Sequence, residues 1–211
     1  MGHSTLLDII GAMIIGGFMI LIINSVNQTA SENTSQYNSD LISQQNLVSI
    51  VELLEYDFSR IGYCENTDSI LSPENMITYA DSNKIIFWTD IAVSSSNFRG
   101  NGTKEELIYE LGPDVNETPN PFDKLLYRYL KGDKKDASNL GITEFKITYF
   151  DNLNNKLSHP INTKLISYMQ IDLKVEDCYG YDTDNNEKLH SEKFPTVFWK
   201  QIRLATKNMS R

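Results

Sequence analysis

From Ser4 to Ile23 the chain reads STLLDIIGAMIIGGFMILII, an apolar run holding a single charge, Asp8. That length matches the ~20 apolar residues that carry an α-helix across the hydrocarbon core of a bilayer. No Pro or Gly stands between Ile23 and Gly62, and apolar residues recur at Val26, Ala30, Tyr37, Leu41, Val48, Val51, Leu54, Phe58 and Ile61. Most of these steps follow the helical period, which predicts one amphipathic helix with Ser, Asn, Gln and acids on its other faces. The stripe is thin from Asn24 to Asp40 and dense from Leu41 to Ile61. An exposed neck followed by a half-buried shoulder, packed on whatever follows, is therefore expected. The seam lacks the sustained heptad repeat of a coiled coil.

After Gly62 the period changes. Met76–Tyr79, Lys84–Thr89, Glu106–Leu111, Lys124–Leu130, Thr143–Phe150, Leu165–Val175 and Phe194–Thr206 are rich in β-branched and aromatic residues. Turn formers separate them at residues 81–83, 97–103, 112–121, 132–141 and 151–156. In Thr143–Phe150 the set Phe145, Ile147, Tyr149 alternates with Glu144, Lys146, Thr148, as in a strand with one wet face. The polar connections are too short for crossover helices, so the sheet is expected to be antiparallel. The pattern predicts an α+β protein: a transmembrane segment (1–23), an amphipathic stem helix (24–61) and a β-rich head (62–211), with the stem helix packed on the sheet.

With 211 residues, about 150 remain for the head, enough for one core. A net charge of -9 excludes nucleic acid as a partner, because phosphate binding needs clustered Lys and Arg. The densest basic stretch, Lys131, Lys134 and Lys135, is offset by Asp133 and Asp136 and reads as a solvated turn. His3, His159 and His190 are scattered, and no nucleophile elbow, zinc-protease or phosphate-loop motif occurs, so no enzyme is expected. The sequons at Asn27, Asn33, Asn101, Asn116 and Asn208 are explained by the abundance of Asn.

The apolar run lacks the basic n-region and small-residue cleavage site of a secretory signal. A carboxylate near the bilayer centre costs on the order of 2.5–3.5 kcal/mol and is normally paired or functional. Asp8 lies about one turn from the end of the run, so snorkelling to the headgroups is the alternative reading. Residues 1–59 contain no Lys or Arg, which gives the positive-inside comparison nothing to count. The acidic stem (Glu32, Asp40, Glu52, Glu55, Asp57) leans towards a cytoplasmic N-terminus and a head outside the cytoplasm. Cys64 and Cys178 are the only cysteines. In that compartment they are expected to bridge, tying helix to sheet, with two free thiols as the alternative.

Ser4-Thr5-Leu6-Leu7-Asp8 leading an apolar helix, Asp57-Phe58-Ser59-Arg60-Ile61-Gly62-Tyr63 at the stem's end, Leu126-Tyr127-Arg128, and Ile147-Thr148-Tyr149-Phe150-Asp151 together carry a resemblance. The chain resembles type IV pilin-like proteins, above all the larger minor pseudopilins of type II secretion systems and related minor pilins. Prepilins are cut after a Gly, and the mature chain starts on a Thr-Leu-Ile-Glu-like run. That register puts processing by a prepilin peptidase between His3 and Ser4, with His3 where the family has Gly and Gly2 one position earlier. Asp8 takes the place of the fifth-position Glu. The resemblance implies a subunit held in the cytoplasmic membrane, its head periplasmic or extracellular, that joins or initiates a pseudopilus or pilus. Its partners would be the bilayer and other subunits' N-terminal helices, with Asp8 meeting the α-amine of a neighbour. Gly11, Gly16 and Gly17 would let those helices approach closely. Related pseudopilins hold calcium in a C-terminal loop, and Asp182, Asp184 and Asn186 alternate as oxygen ligands would. A plain hairpin tip is the competing reading of that loop, and no other cofactor is expected. The rival function is a single-pass anchored module whose head captures a ligand or adhesive partner without entering a filament.

Overall fold

The computed structural model describes residues 2–70, 72–91, 99–135, 137–178 and 197–205. One α-helix, α1, runs Gly2–Ser59 and is followed by seven strands: β1 (Ile77–Ala80), β2 (Lys84–Thr89), β3 (Glu105–Asp114), β4 (Lys124–Leu130), β5 (Ala137–Phe150), β6 (Tyr168–Glu176) and β7 (Val197–Ala205). The strands form one sheet in chain order β1 to β7, and every neighbouring pair is antiparallel. The protein is α+β.

The chain divides into two units, Met1–Leu41 and Ile42–Arg211. In the second, α1 from Ile42 onward lies on the sheet through Ile50, Leu54 and Phe58, continued past the helix end by Ile61. These positions, spaced four, four and three apart, make one helical face. They meet Ile85 and Phe87 of β2, Leu107 and Tyr109 of β3, Phe145, Ile147 and Tyr149 of β5, and the alternate residues Met169, Ile171, Leu173 and Val175 of β6. The period-2 alternation read in Thr143–Phe150 is thus the inward face of β5, and β6 buries the same face.

Two segments read as turns from their composition are sheet. β5 begins at Ala137, inside the stretch 132–141, and β3 runs on to Asp114. Ser138, Asn139 and Gly141 carry no apolar alternation, yet this stretch is strand because β5 lies between two neighbours, with a register irregularity between Ser138 and Ile142. Its start bonds β4 (Tyr127↔Ala137, Leu126↔Ser138), and its longer remainder bonds β6 from Ile142↔Val175 to Phe150↔Tyr168. Gly141 sits in the irregularity of the β4–β5 register with φ +73°, and a Cβ there would stand 2.2 Å from the Glu176 carbonyl oxygen. Only glycine takes both that conformation and that approach without strain. The far end of β5 is tied to the β1–β2 turn: Ile147 N donates to Ser82 O at 2.7 Å, and the Tyr149 hydroxyl donates to Asp81 O at 2.9 Å.

Candidate functional site

Three groups of side chains carry the chemistry of the second unit. The first is the seam between α1 and the sheet. Position 57 falls on the buried face of the helix, where the stripe calls for an apolar residue, and it holds Asp57, 3% exposed. Arg128 of β4 grips that carboxylate with both arms of its fork, Nε to Oδ2 at 2.6 Å and Nη2 to Oδ1 at 3.0 Å. The Tyr109 hydroxyl of β3 donates to the same Oδ2. Burial opposes the charge on Arg128, but the Asp57 carboxylate outweighs it and raises the guanidinium's pKa. Tyr109 is raised well above its usual value, by burial first and by the Asp57 charge second. Removing one member of such a group strands a buried charge, typically at about 3–5 kcal/mol. Beside the seam lies a cleft of about 200 Å³ between α1 (Ile50, Leu53, Leu54) and β4–β5 (Leu126, Leu140). Sequence reading found Asp57 and Arg128 in separate motifs and did not join them. The available signal was an acid set inside an apolar helical stripe.

The second group closes the helix end. Arg60, just past the last helical residue, stacks over the rings of Tyr56 and Tyr63 at 5.1 and 4.7 Å. Its Nη2 donates to the carbonyls of Asp90 (2.6 Å) and Arg99 (2.9 Å). The fully buried Asp90 carboxylate accepts from three backbone amides, Glu65 at 3.0 Å, Asn101 at 2.8 Å and Gly102 at 2.9 Å. A carboxylate with three N–H donors is a structural tie, and it joins Glu65, Asn101 and Gly102 to the end of β2.

The third group lies where the β3–β4 connection meets β5 and β6. Asn120, Asp123 and Glu176 are all buried. Asn120 Nδ2 reaches Glu176 Oε2 (3.4 Å), Thr118 Oγ1 donates to Asp123 Oδ2 (2.9 Å), and Lys174 neutralises Glu176 at 2.6 Å. Asp123 Oδ1 has no hydrogen-bond partner by geometric criteria. The Cys178 thiol is its neighbour, its pKa pushed up to about 12 by burial and then by the Asp123 carboxylate. The thiol, held protonated, donates weakly to Asn139 Oδ1 at 3.6 Å.

The expected Cys64–Cys178 bridge is not formed, and both cysteines are free. The fold sends them to different places. Cys64 is buried against Gly102 O (3.4 Å) and Asp90 Oδ2 (3.8 Å), whereas Cys178 lies beside Asn139 Oδ1 (3.6 Å) at the β5–β6 end. A disulfide requires the two Cα atoms within about 7 Å. The calcium candidates Asp182, Asp184 and Asn186 lie outside the described residues. Among the described residues no cluster of three or more His, Cys, Asp or Glu side chains is placed to hold a metal.

The first unit presents one surface. Thirteen large apolar side chains from Leu6 to Ile23 are each 49–75% exposed, and Asp8 is exposed among them. The helix is long and apolar enough to cross a membrane. Burying a side chain of that kind is worth about 1.5–3 kcal/mol, so this surface left in water carries an unfavourable hydration term on the order of 20 kcal/mol. His3 and Ser4 are within α1, but their side chains lie outside the described residues. A scan of protein-family models and a search of curated proteins found no match to the chain.

Proposed function

We propose that this chain is a structural subunit of the type IV pilin-like class, a minor pseudopilin or minor pilin. Its apolar helix would hold it in the cytoplasmic membrane, with the head outside the cytoplasm, and would then carry it into a pseudopilus or pilus. The observation that carries this reading is a single helix with two kinds of apolar surface. Leu6–Ile23 is bare on every side around one carboxylate, and Ile50–Phe58 is seated on an antiparallel sheet. A bare apolar helix needs lipid or other helices around it. The carboxylate distinguishes those two surroundings. In lipid Asp8 costs on the order of 2.5–3.5 kcal/mol. Among packed helices it finds the α-amine of a neighbouring subunit, an ion pair strengthened by low dielectric.

The test uses protein extracted from membranes of its own host, with intact mass, N-terminal peptide mapping and a pull-down for helical partners. A chain starting at Ser4 and co-purifying with pilin-like subunits is the expected result. A chain that keeps residues 1–3 and purifies without such partners would replace this reading with the anchored binding module.

A further inference from the structure

We infer that Asp57, Arg128 and Tyr109 act as a register pin, fixing the rotation and axial position of α1 on the sheet rather than serving mainly to stabilise the head. Apart from Asp57 and one side-chain hydrogen bond near the start of the seated part, Asn46 Nδ2 to Leu140 O at 3.3 Å, the helix meets the sheet through aliphatic and aromatic side chains, Ile50, Leu54 and Phe58. Such contacts resist separation more than sliding, because apolar cores tolerate repacking of similar volumes. The flank beside Arg128 is also incompletely filled, with the 200 Å³ cleft between Leu53 and Leu126 leaving room for α1 to roll towards β4 and β5.

The polar group does not tolerate sliding. A two-toothed guanidinium–carboxylate bond has one geometry, and Arg128 holds it at 2.6 and 3.0 Å. The helix offers no second acid in phase with Asp57. A displacement of one turn, about 5.4 Å, would bring Leu53, Leu54, Arg60 or Ile61 opposite Arg128. Asp57 would then be buried without its partner. Specifying register is the best-attested use of a buried polar group in an apolar interface. The consequence for assembly rests on the filament reading above: in a subunit whose helix packs among others, the pin sets which helix face the head presents to a neighbour. Asp57, Arg128 and Tyr109 are positioning residues.

The test uses the full chain in detergent micelles, where no filament is required, so it succeeds or fails independently of the filament reading. Cys64 and Cys178 are changed to Ser, and spin labels are attached to cysteines replacing Glu55 on α1 and Lys146 on β5, both exposed. The parent should give one narrow interspin distance. The variant Asp57→Leu/Tyr109→Phe/Arg128→Met, which replaces the group with apolar side chains, should melt within a few degrees of the parent. Its distance distribution should broaden or split by about one helical turn, ~5 Å. Arg128→Lys keeps the charge and loses the fork, and it should broaden the distribution while remaining folded, which keeps the idea testable if the triple variant is damaged. A parent-like narrow distance in the folded variants would overturn the inference. So would a triple variant that unfolds while Arg128→Lys keeps the parent distance, since the group would then be a stability element only.

Discussion

Phe18 and Phe58 are the same residue on one helix, and the structure assigns them opposite energetics. Phe58 is fully buried, with its ring 5.3 Å from Phe87 and 5.5 Å from Tyr109, both contacts tilted or edge-on. Truncating a buried Phe to Ala costs about 3–5 kcal/mol in transfer and cavity terms, and each aromatic pair adds about 0.5–1.5 kcal/mol beyond its area. Phe87 and Tyr109 keep other neighbours and the site relaxes in part, so Phe58→Ala is expected to cost about 4 kcal/mol. That is a large fraction of the ~5–15 kcal/mol that holds a domain folded. At this chain length it lowers Tm by roughly 8–16 °C. Phe18 is 62% exposed, and Phe18→Ala should leave the unfolding free energy of the head within about 0.5 kcal/mol. Both variants can be unfolded with urea in the same micelles. The head's own Trp88 and Trp199 report the transition, and m must stay constant for the comparison to hold. A loss below about 1.5 kcal/mol at Phe58, well under the range for buried Phe, would refute the helix–sheet packing described above. Equal losses at the two positions would refute the division of the helix into a bare and a seated part.

Asp8→Ala is expected to leave membrane insertion intact or improved while reducing incorporation into filaments, read by fractionation and by immunolabelling of sheared surface material; unimpaired incorporation would count against the proposed pairing. Gly141→Ala places a Cβ 2.2 Å from Glu176 O at φ +73°, and it should destabilise the head by at least about 2 kcal/mol in the same urea assay. Cys178, with its pKa near 12, should alkylate at pH 8 about two orders of magnitude more slowly than a free thiol of pKa about 8.5, the lower thiolate fraction outweighing the greater nucleophilicity of the more basic thiolate. The sign follows from the raised pKa: the folded chain keeps this proton, so the contribution is present below pH ~8.5 and is lost as pH rises towards 12. Alkylation at the rate of a free thiol in the native protein would contradict the burial beside Asp123.

Period and length made most of the architecture readable. Lys84–Thr89 and Lys124–Leu130 fall where the alternation and flanking turn residues put them, and the inward face of β5 is the set Phe145, Ile147, Tyr149. The reading failed where pairing is imposed from outside the segment. Ala137–Gly141 is a polar, glycine-ended stretch with no strand signature. It is sheet because β4 offers it an edge and Gly141 absorbs the irregularity in that pairing. The cysteines failed for a related reason, since an even count says nothing about which sheet end each sulfur occupies. The seam was visible only in halves. Asp57 and Arg128 stand 71 residues apart, and no local rule pairs them. Local reading listed Asp57 among the stem's acids and put acids on the helix's other faces. A carboxylate three residues past Leu54 and one before Phe58, inside the apolar stripe, was the signal it passed over, and burial physics turns that signal into a demand for a cation.

That demand appears twice on α1, and the two cases differ in where the partner comes from. Asp57 is an acid on an apolar face whose cation, Arg128, and second donor, Tyr109, are supplied by the chain itself. Asp8 is also an acid on an apolar face, but among the described residues nothing in the chain reaches it. Residues 1–59 contain no Lys or Arg to serve as an i,i+4 partner. In water Asp8 needs no partner, but the surface around it cannot remain in water. Once Leu6–Ile23 enters an apolar environment, the carboxylate either snorkels to the headgroups or needs a donor beside it. On the filament reading proposed above, the physics that pairs Asp57 within the fold would pair Asp8 with a neighbouring subunit; on the anchored-module reading it would send Asp8 to the headgroups.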